Sequence, residues 1–225
     1  MSAVSKQLSG LEKHAKAFIV VAVLAIIIAV TCYQLAPIEQ RFLIYRNVFF
    51  ESFLKTPWFF EGFWIFMAIH AVAMMGVLIS FFNTRARSTF WQWHLGVGII
   101  GYTLMCLTYV SRIYQVPKMG QAYVTASDEI RKVIETYGIL EFDFFNIAYG
   151  FPALWFAVFG LIVLKQHRIL GISAICISMG YIVSVIGYLA RISSWLTASS
   201  SAAFVFFLLF AVTCWKFFTS QTNKT

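Results

Sequence analysis

Six long apolar segments are the feature that most constrains what this chain can fold into. A helix needs about 20 apolar residues to cross a hydrocarbon layer of about 30 Å. Six segments reach that length, at approximately residues 17–35, 59–82, 90–114, 144–164, 169–190 and 198–218. Because a lipid-exposed segment must bond its own backbone groups, each one predicts a transmembrane helix. The predicted fold is an all-α membrane protein, with residues 1–225 forming one six-helix domain.

The composition excludes the main soluble alternatives. Hydrophobic residues make up 60% of the chain and charged residues 12%, against about 45–50% and about 25% in soluble domains. A water-soluble core of this size has no room for that much apolar side chain. The same numbers exclude a disordered chain, and the isolated positions of the four cysteines do not suggest a disulfide framework.

The distribution of basic residues predicts how the spans are oriented. One side carries nine basic residues and a single acid, Glu12; the basic ones are Lys6, Lys13, Lys16, Arg85, Arg87, Lys165, Arg168, Lys216 and Lys224. On the other side, eight basic residues are balanced by eight acids. Since basic loops stay in the cytoplasm, both termini are predicted to be cytoplasmic, in a bacterial inner (plasma) membrane. The net charge of +8 therefore matches anionic lipid, and no nucleic-acid partner is expected.

Both long connections on the outer side have the periodicity of amphipathic helices. The first, Pro37–Lys55, has an apolar stripe of Ile38, Phe42, Tyr45, Phe49 and Phe53. The second, Ser127–Tyr137, has a stripe of Ile130, Val133, Ile134 and Tyr137, with Ser127 as its N-cap. These two helices are either lids over an outer cavity or, on the simpler interpretation, connectors that float at the membrane surface.

Small residues in two spans have the spacing of close helix contacts. The third span carries Gly96, Gly98 and Gly101. The fifth carries Gly180, Ser184 and Gly187. Because small side chains let membrane helices approach closely, both sets are predicted to pack against neighbouring helices.

Polar side chains cluster towards the outer ends of four spans. The third span carries Tyr102, Tyr109 and Arg112 on one face, and the fifth carries Tyr181, Ser184, Tyr188 and Arg191. The candidate ligand-binding residues are Glu61, Tyr109, Arg112, Asp143, Asn146, Ser184, Tyr188 and Arg191. Either the arginines pair with the carboxylates of Glu61, Glu141 and Asp143 and clasp the helices, or the group lines a cavity for an anionic or amphiphilic ligand.

Two histidines inside the spans are candidates for a metal or haem, although no cofactor is expected. Met67, His70 and Met74 share one helix face, and thioether and imidazole groups suit copper(I). His70 and His94 are the histidines available to ligate haem b, but their predicted depths differ by about 10 Å. The alternative is a neutral histidine that bonds to a neighbouring helix or, for His94, a place at the interface beside Trp91 and Trp93.

One hairpin of the chain resembles a known group of membrane proteins. Residues 151–183 combine Leu154-Trp155, a basic turn at 165–168, and a following Arg168-Ile169-Leu170-Gly171. This stretch is similar to the fourth-to-fifth helix hairpin of a family of small bacterial six-helix integral membrane proteins of unknown function. The resemblance implies the same six-helix layout and carries over no functional residue.

Enzyme motifs do not occur in the sequence, which contains no GxSxG, HExxH, Walker or dinucleotide-binding pattern. Three classes of function are left. The first is non-enzymatic binding or transport of a small molecule or lipid through the outer polar group. The second is an accessory or assembly subunit that binds a membrane-protein partner or forms a homo-oligomer. The third is a haem or copper redox protein that uses His70 and His94.

Overall fold

A computed structural model of the chain describes residues 3–42, 47–84, 88–137, 145–190 and 192–222. These residues are almost entirely helical. The helices are α1 (Ala3–Leu35), α2 (Ile38–Phe42), α3 (Asn47–Lys55), α4 (Trp58–Thr84), α5 (Thr89–Thr125), α6 (Asp128–Tyr137), α7 (Phe145–Val163), α8 (Arg168–Leu189) and α9 (Ser193–Thr222).

Six of these helices are long and apolar enough to cross a membrane, so the chain is a multi-pass membrane protein. They are α1, α4, α5, α7, α8 and α9, and each overlaps one of the six predicted segments. Helix α5 is longer than predicted at its C-terminal end, since it has 37 residues and continues to Thr125 instead of ending near residue 114. At about 1.5 Å per residue this helix is about 55 Å long, well beyond the thickness of a hydrocarbon layer.

The six spans form a ring in chain order, because each packs on the next and α9 returns to α1. At one end of the ring the ammonium of Lys16 lies 5.2 Å from the ring of Trp215, and His167 lies 5.2 Å from Phe217. We call this the terminal end, because both chain termini lead from it. The opposite end, which carries α2, α3 and α6, is the distal end.

Short α3 is packed into the distal end of the bundle. Phe49, Phe50 and Phe53 are fully buried, and Phe50 stacks on Tyr123 of α5 with ring centroids 5.0 Å apart. This contact explains the length of α5, whose last turns support α3. The prediction of a connector floating at the surface is therefore wrong for α3.

The prediction of a single helix over Pro37–Lys55 is wrong, because α2 and α3 lie side by side. Gln40 and Ser52 are hydrogen-bonded, whereas 12 residues of one helix span about 18 Å. Gln40 holds them together, since its amide nitrogen donates to the hydroxyls of Ser52 at 3.2 Å and Thr56 at 2.9 Å. Ile38, the first member of the predicted stripe, is 59% exposed. Tyr45 lies outside the described residues.

Helix α6 has the predicted boundaries and is attached to the end of α5. The guanidinium of Arg131 donates to the carbonyls of Tyr123 at 3.0 Å and Val124 at 2.9 Å. These carbonyls lie in the last turn of α5, where the usual helical partners four residues on are missing. The carbonyl of Tyr123 also accepts the N–H of the C-cap residue Ala126 at 3.3 Å. Ile130 and Val133 of the predicted apolar stripe are exposed.

Close helix contacts occur at most of the predicted small residues. A Cβ on Gly98 would lie 2.6 Å from Leu78 and 2.8 Å from Trp155, and one on Gly180 would lie 2.8 Å from Ala203. Gly101 fits equally closely against α7. The prediction is wrong for Gly96, because a Cβ added there would have no atom of a neighbouring helix within 4 Å.

A stripe of alanines that the sequence analysis did not single out packs α1 against its neighbours. Ala15, Ala22 and Ala29 are fully buried and recur every seven residues, so they lie on one face. The interior of the ring is filled mainly by aromatic side chains. Phe81 of α4, for example, contacts Phe159 of α7 with ring centroids 4.9 Å apart.

Candidate functional site

Four buried tyrosines from three spans form a cluster inside the ring. Tyr102 and Tyr109 come from α5, Tyr149 from α7 and Tyr181 from α8, and all are at most 8% exposed. Tyr102 and Tyr109 are seven residues apart and therefore share the inward face of α5. We call these four residues the tyrosine cluster.

The hydroxyl groups of the tyrosine cluster approach one another in two pairs. Tyr109 and Tyr149 are hydrogen-bonded through their hydroxyls. Tyr149 also contacts Tyr181 edge-to-face, with ring centroids 5.2 Å apart. The hydroxyl of Tyr102 interacts with Tyr181 but makes no well-aligned hydrogen bond with a described residue. Phenols buried in this way are both donors and acceptors, so they can bind a further polar group.

Arg112 brings a positive charge to the distal side of the tyrosine cluster. It is 7% exposed, and its guanidinium lies 5.5 Å from the centre of the Phe145 ring. Phe145 in turn stacks on Tyr149 at 4.4 Å and on Tyr188 at 4.5 Å. Arg112 also interacts electrostatically with Tyr109. A guanidinium buried inside a multi-pass protein is a functional candidate, because charge is expensive to bury there.

The structure brings only some of the predicted site residues together. Tyr109, Arg112 and Tyr188 meet around Phe145 and Tyr149. The sequence analysis did not select Phe145 or Tyr149. They lie four residues apart, as two aromatic residues on one helix face would, but α7 is so rich in aromatic residues that this spacing did not distinguish them.

The other predicted residues lie elsewhere. Ser184 belongs to the contact with α9, where its hydroxyl bonds that of Ser199 at 2.8 Å. Glu61 is partly exposed in the first turn of α4. The side-chain oxygen of Asn146, next to Phe145 in the chain, is buried without a hydrogen-bond partner among the described residues. Asp143, Arg191 and Glu141 lie outside the described residues.

His70 lies in the middle of α4 and is fully buried. Its Nδ1 lies 3.0 Å from the carbonyl of Ala22, and because a carbonyl only accepts, Nδ1 carries the proton of this bond. Its ring contacts Phe207 at 4.9 Å and Tyr102 at 6.3 Å between centroids. His70 thus bonds across helices and adjoins the tyrosine cluster.

His94 has entirely different neighbours. It lies near the start of α5 at the terminal end, where its ring stacks against Trp155 at 5.1 Å and contacts Trp91 at 5.6 Å. One haem iron bound by both His70 and His94 is not favoured by these separate surroundings. Met67 and Met74, the other proposed copper ligands, are buried in the hydrophobic core.

The comparisons with known proteins give no relative for this chain: no family model, no curated protein and no solved structure matches it. The resemblance of residues 151–183 to small bacterial six-helix proteins therefore depends on the hairpin motif alone. The tyrosine cluster and Arg112 must be interpreted from their own chemistry.

Proposed function

We propose that this protein is a non-enzymatic membrane protein that binds or transports a small anionic amphiphile. The observation that supports the proposal is the convergence of Arg112 and four buried phenols inside the ring of spans. Polar groups are costly to bury inside a membrane protein, so those that are buried there usually serve a function. The proposed ligand-binding group is Arg112 with the tyrosine cluster and Tyr188.

Each part of this group has a chemical role in the proposal. The guanidinium of Arg112 binds the acidic headgroup, since arginine makes strong charge-assisted hydrogen bonds to carboxylate and phosphate. Tyr109 and Tyr149 share one hydrogen bond between their hydroxyls, and the hydroxyl that accepts in this bond donates its own proton to the same headgroup. The aromatic rings around Phe145 contact the apolar part of the ligand. The side-chain oxygen of Asn146, which is buried without a hydrogen-bond partner among the described residues, is a further position where a ligand or water is expected to bind.

Binding of oleate and oleyl alcohol to the purified protein tests this proposal, because the two probes share a tail and differ in the headgroup. We expect saturable oleate binding that Arg112→Gln weakens about tenfold or more, since a hydrogen bond to a charged group contributes about 1.5–3 kcal/mol. Oleyl alcohol should bind both proteins equally. Tyr109→Phe, which removes one hydroxyl and keeps the ring, should weaken oleate less.

The matched control is Lys118→Gln, which removes an exposed cation from the same helix. Lys118 lies over the ring of Tyr114 and outside the proposed site. Thermal unfolding of each variant separates loss of binding from loss of fold. Equal oleate affinity in a folded Arg112→Gln variant and the wild type contradicts the proposal.

The orientation with both termini in the cytoplasm of a bacterial inner membrane is part of the same proposal. It follows from the basic residues of the terminal end, and it directs the ligand group towards the outer leaflet. Cysteines introduced at the exposed positions Ser88 and Ser127 are expected to react from opposite sides of the membrane, Ser127 from outside. A membrane-impermeant maleimide on intact cells measures this; labelling of Ser88 alone would reverse the orientation.

Helix α6 supports a second candidate function, as an accessory subunit. Ile130 and Val133 are exposed beyond the end of α5, and an apolar face of this kind suits the membrane surface or a membrane-protein partner. Native mass spectrometry from mild detergent discriminates between the two functions. A single chain that retains lipid supports ligand binding, whereas a stable complex with another protein supports the accessory role.

A further inference from the structure

A small cavity lies at the terminal end of the ring, away from the tyrosine cluster. It is formed by α4, α5 and α7 and is lined by Leu78, Phe81, Trp91, His94, Leu95, Trp155 and Phe159. The enclosed space is about the size of one water molecule. Among the residues that line it, His94 is the titratable one, and the walls are otherwise apolar or aromatic.

His94 is buried in this cavity without hydrogen bonds. Its side chain is 2% exposed, and neither Nδ1 nor Nε2 has a hydrogen-bond partner among the described residues. Leaving a buried polar group unpaired destabilises a protein. Native structures rarely contain such groups, so a ligand or a water molecule is the usual partner.

Part of the cavity wall is a set of nearly parallel aromatic rings. Trp155 stacks on the imidazole of His94 with an interplanar angle of 15° and on Phe159 with an angle of 12°, whereas Trp91 is inclined to the imidazole by 73°. Gly98 makes this arrangement possible, since a Cβ there would lie 2.8 Å from the indole of Trp155. Planar rings favour offset stacking with one another, so this site favours a planar ligand.

The cavity is accessible from one direction. Its other lining residues are buried, but Trp91 and Leu95 are half-buried, so the opening lies beside these two side chains. Both are within the first two turns of α5, near the boundary of the span. A ligand dissolved in the membrane close to its surface therefore reaches the opening without passing through the bundle.

We propose that this cavity is a binding site for a phenol-type headgroup, with His94 as its hydrogen-bonding residue. A neutral imidazole has one donor and one acceptor, and a phenolic hydroxyl can act as either. The hydroxyl fits the enclosed space, while the aromatic ring lies in the opening beside Trp91 and Leu95. The site is separate from the proposed amphiphile site: His94 and Tyr102 are eight residues apart on α5, which is about 12 Å.

Quenching of tryptophan fluorescence by 4-bromophenol tests this site, because Trp91 and Trp155 line the cavity. The matched probe is 4-bromotoluene, which has the same bromine quencher and a methyl group in place of the hydroxyl. We expect saturable quenching by 4-bromophenol, and only the linear quenching of detergent partitioning by 4-bromotoluene. Trp155→Phe should remove much of the saturable component.

Substitution of His94 separates binding from structure. His94→Leu is expected to weaken 4-bromophenol binding about tenfold and to raise the unfolding temperature, because it removes an unpaired buried polar group. His94→Gln, which retains a donor and an acceptor, should bind within about threefold of the wild type. His167→Leu, a histidine substitution at the same end of the bundle, should leave binding unchanged.

Two results would overturn the proposal. One is the same 4-bromophenol affinity in the wild type and a folded His94→Leu variant; the other is purely linear quenching of the wild type.

Competition by 4-nonylphenol identifies the source of the ligand. Much stronger competition than by phenol itself indicates a ligand borne by the bilayer, and equal competition indicates a phenol from the aqueous phase. Failure here leaves the oleate experiment unaffected, since the two sites share no residue.

Discussion

Replacing Phe53 by alanine is expected to lower the free energy of unfolding by about 3–5 kcal/mol, the usual cost of removing a buried phenylalanine. Phe53 is fully buried. Its ring stacks on Phe49 at 5.7 Å and lies 5.8 Å from Trp64 of α4. The substitution therefore opens a cavity between α3 and the spans. Unfolding in mixed micelles with increasing dodecyl sulfate measures the loss.

Ile38→Ala is the matched control for Phe53→Ala. Ile38 belongs to the same predicted apolar stripe but is 59% exposed. Its replacement should change the free energy of unfolding by no more than about 0.5 kcal/mol, as expected for an exposed position. Similar small effects at both positions would mean that α3 floats at the surface and is not packed into the bundle.

Gly101→Ala should destabilise the protein by about 1–3 kcal/mol, the usual cost of adding volume to a packed core. An added Cβ would lie 2.7 Å from the Cβ of Phe151 and even closer to the ring of Pro152. Neither neighbour can yield easily, because the proline ring is rigid and a Cβ is fixed by the backbone of α7. The unfolding temperature in detergent reports the change.

Gly96→Ala provides the comparison, since it makes the same chemical change on the same helix. A Cβ at Gly96 would meet nothing within 4 Å, so only helix propensity is affected. Alanine is preferred over glycine in a helix by about 1 kcal/mol. We therefore expect an equal or higher unfolding temperature; a loss as large as that of Gly101→Ala would contradict the packing of α5 on α7.

Part of the candidate site was predictable from spacing along single helices. Tyr109 and Arg112 are three residues apart on α5, so they had to share a face wherever that face pointed. Ser184 has the same kind of spacing relative to Tyr181 and Tyr188, yet it bonds Ser199 on α9. Periodicity assigns a residue to a face, and the neighbouring helix determines what that face contacts.

The rest of the site depends on contacts between residues far apart in the chain. Tyr149 is hydrogen-bonded to Tyr109, which lies 40 residues earlier, and Phe145 contacts Arg112. Both belong to a helix in which six of 19 residues are aromatic, so their spacing along the chain did not distinguish them. The sequence placed His70 and His94 at different depths but did not show what either one contacts. Among the described residues, His70 bonds a carbonyl of a neighbouring span, whereas neither nitrogen of His94 has a hydrogen-bond partner.

The sequence by itself determined the class of the protein and the number of its spans. The hydrophobic length of a segment is a local property, and it determines for each segment separately whether it can span a bilayer. Six apolar segments of sufficient length therefore specify six helices. The tertiary structure decided the length of α5 and the burial of α3, because each stabilises the other through Phe50 and Tyr123. The tertiary structure also decided which polar helix faces meet in the tyrosine cluster. It decided as well that Gly96 does not lie in a close helix contact. These outcomes depend on the rotation of each helix about its axis, which is set by packing against neighbours and not by hydrophobicity.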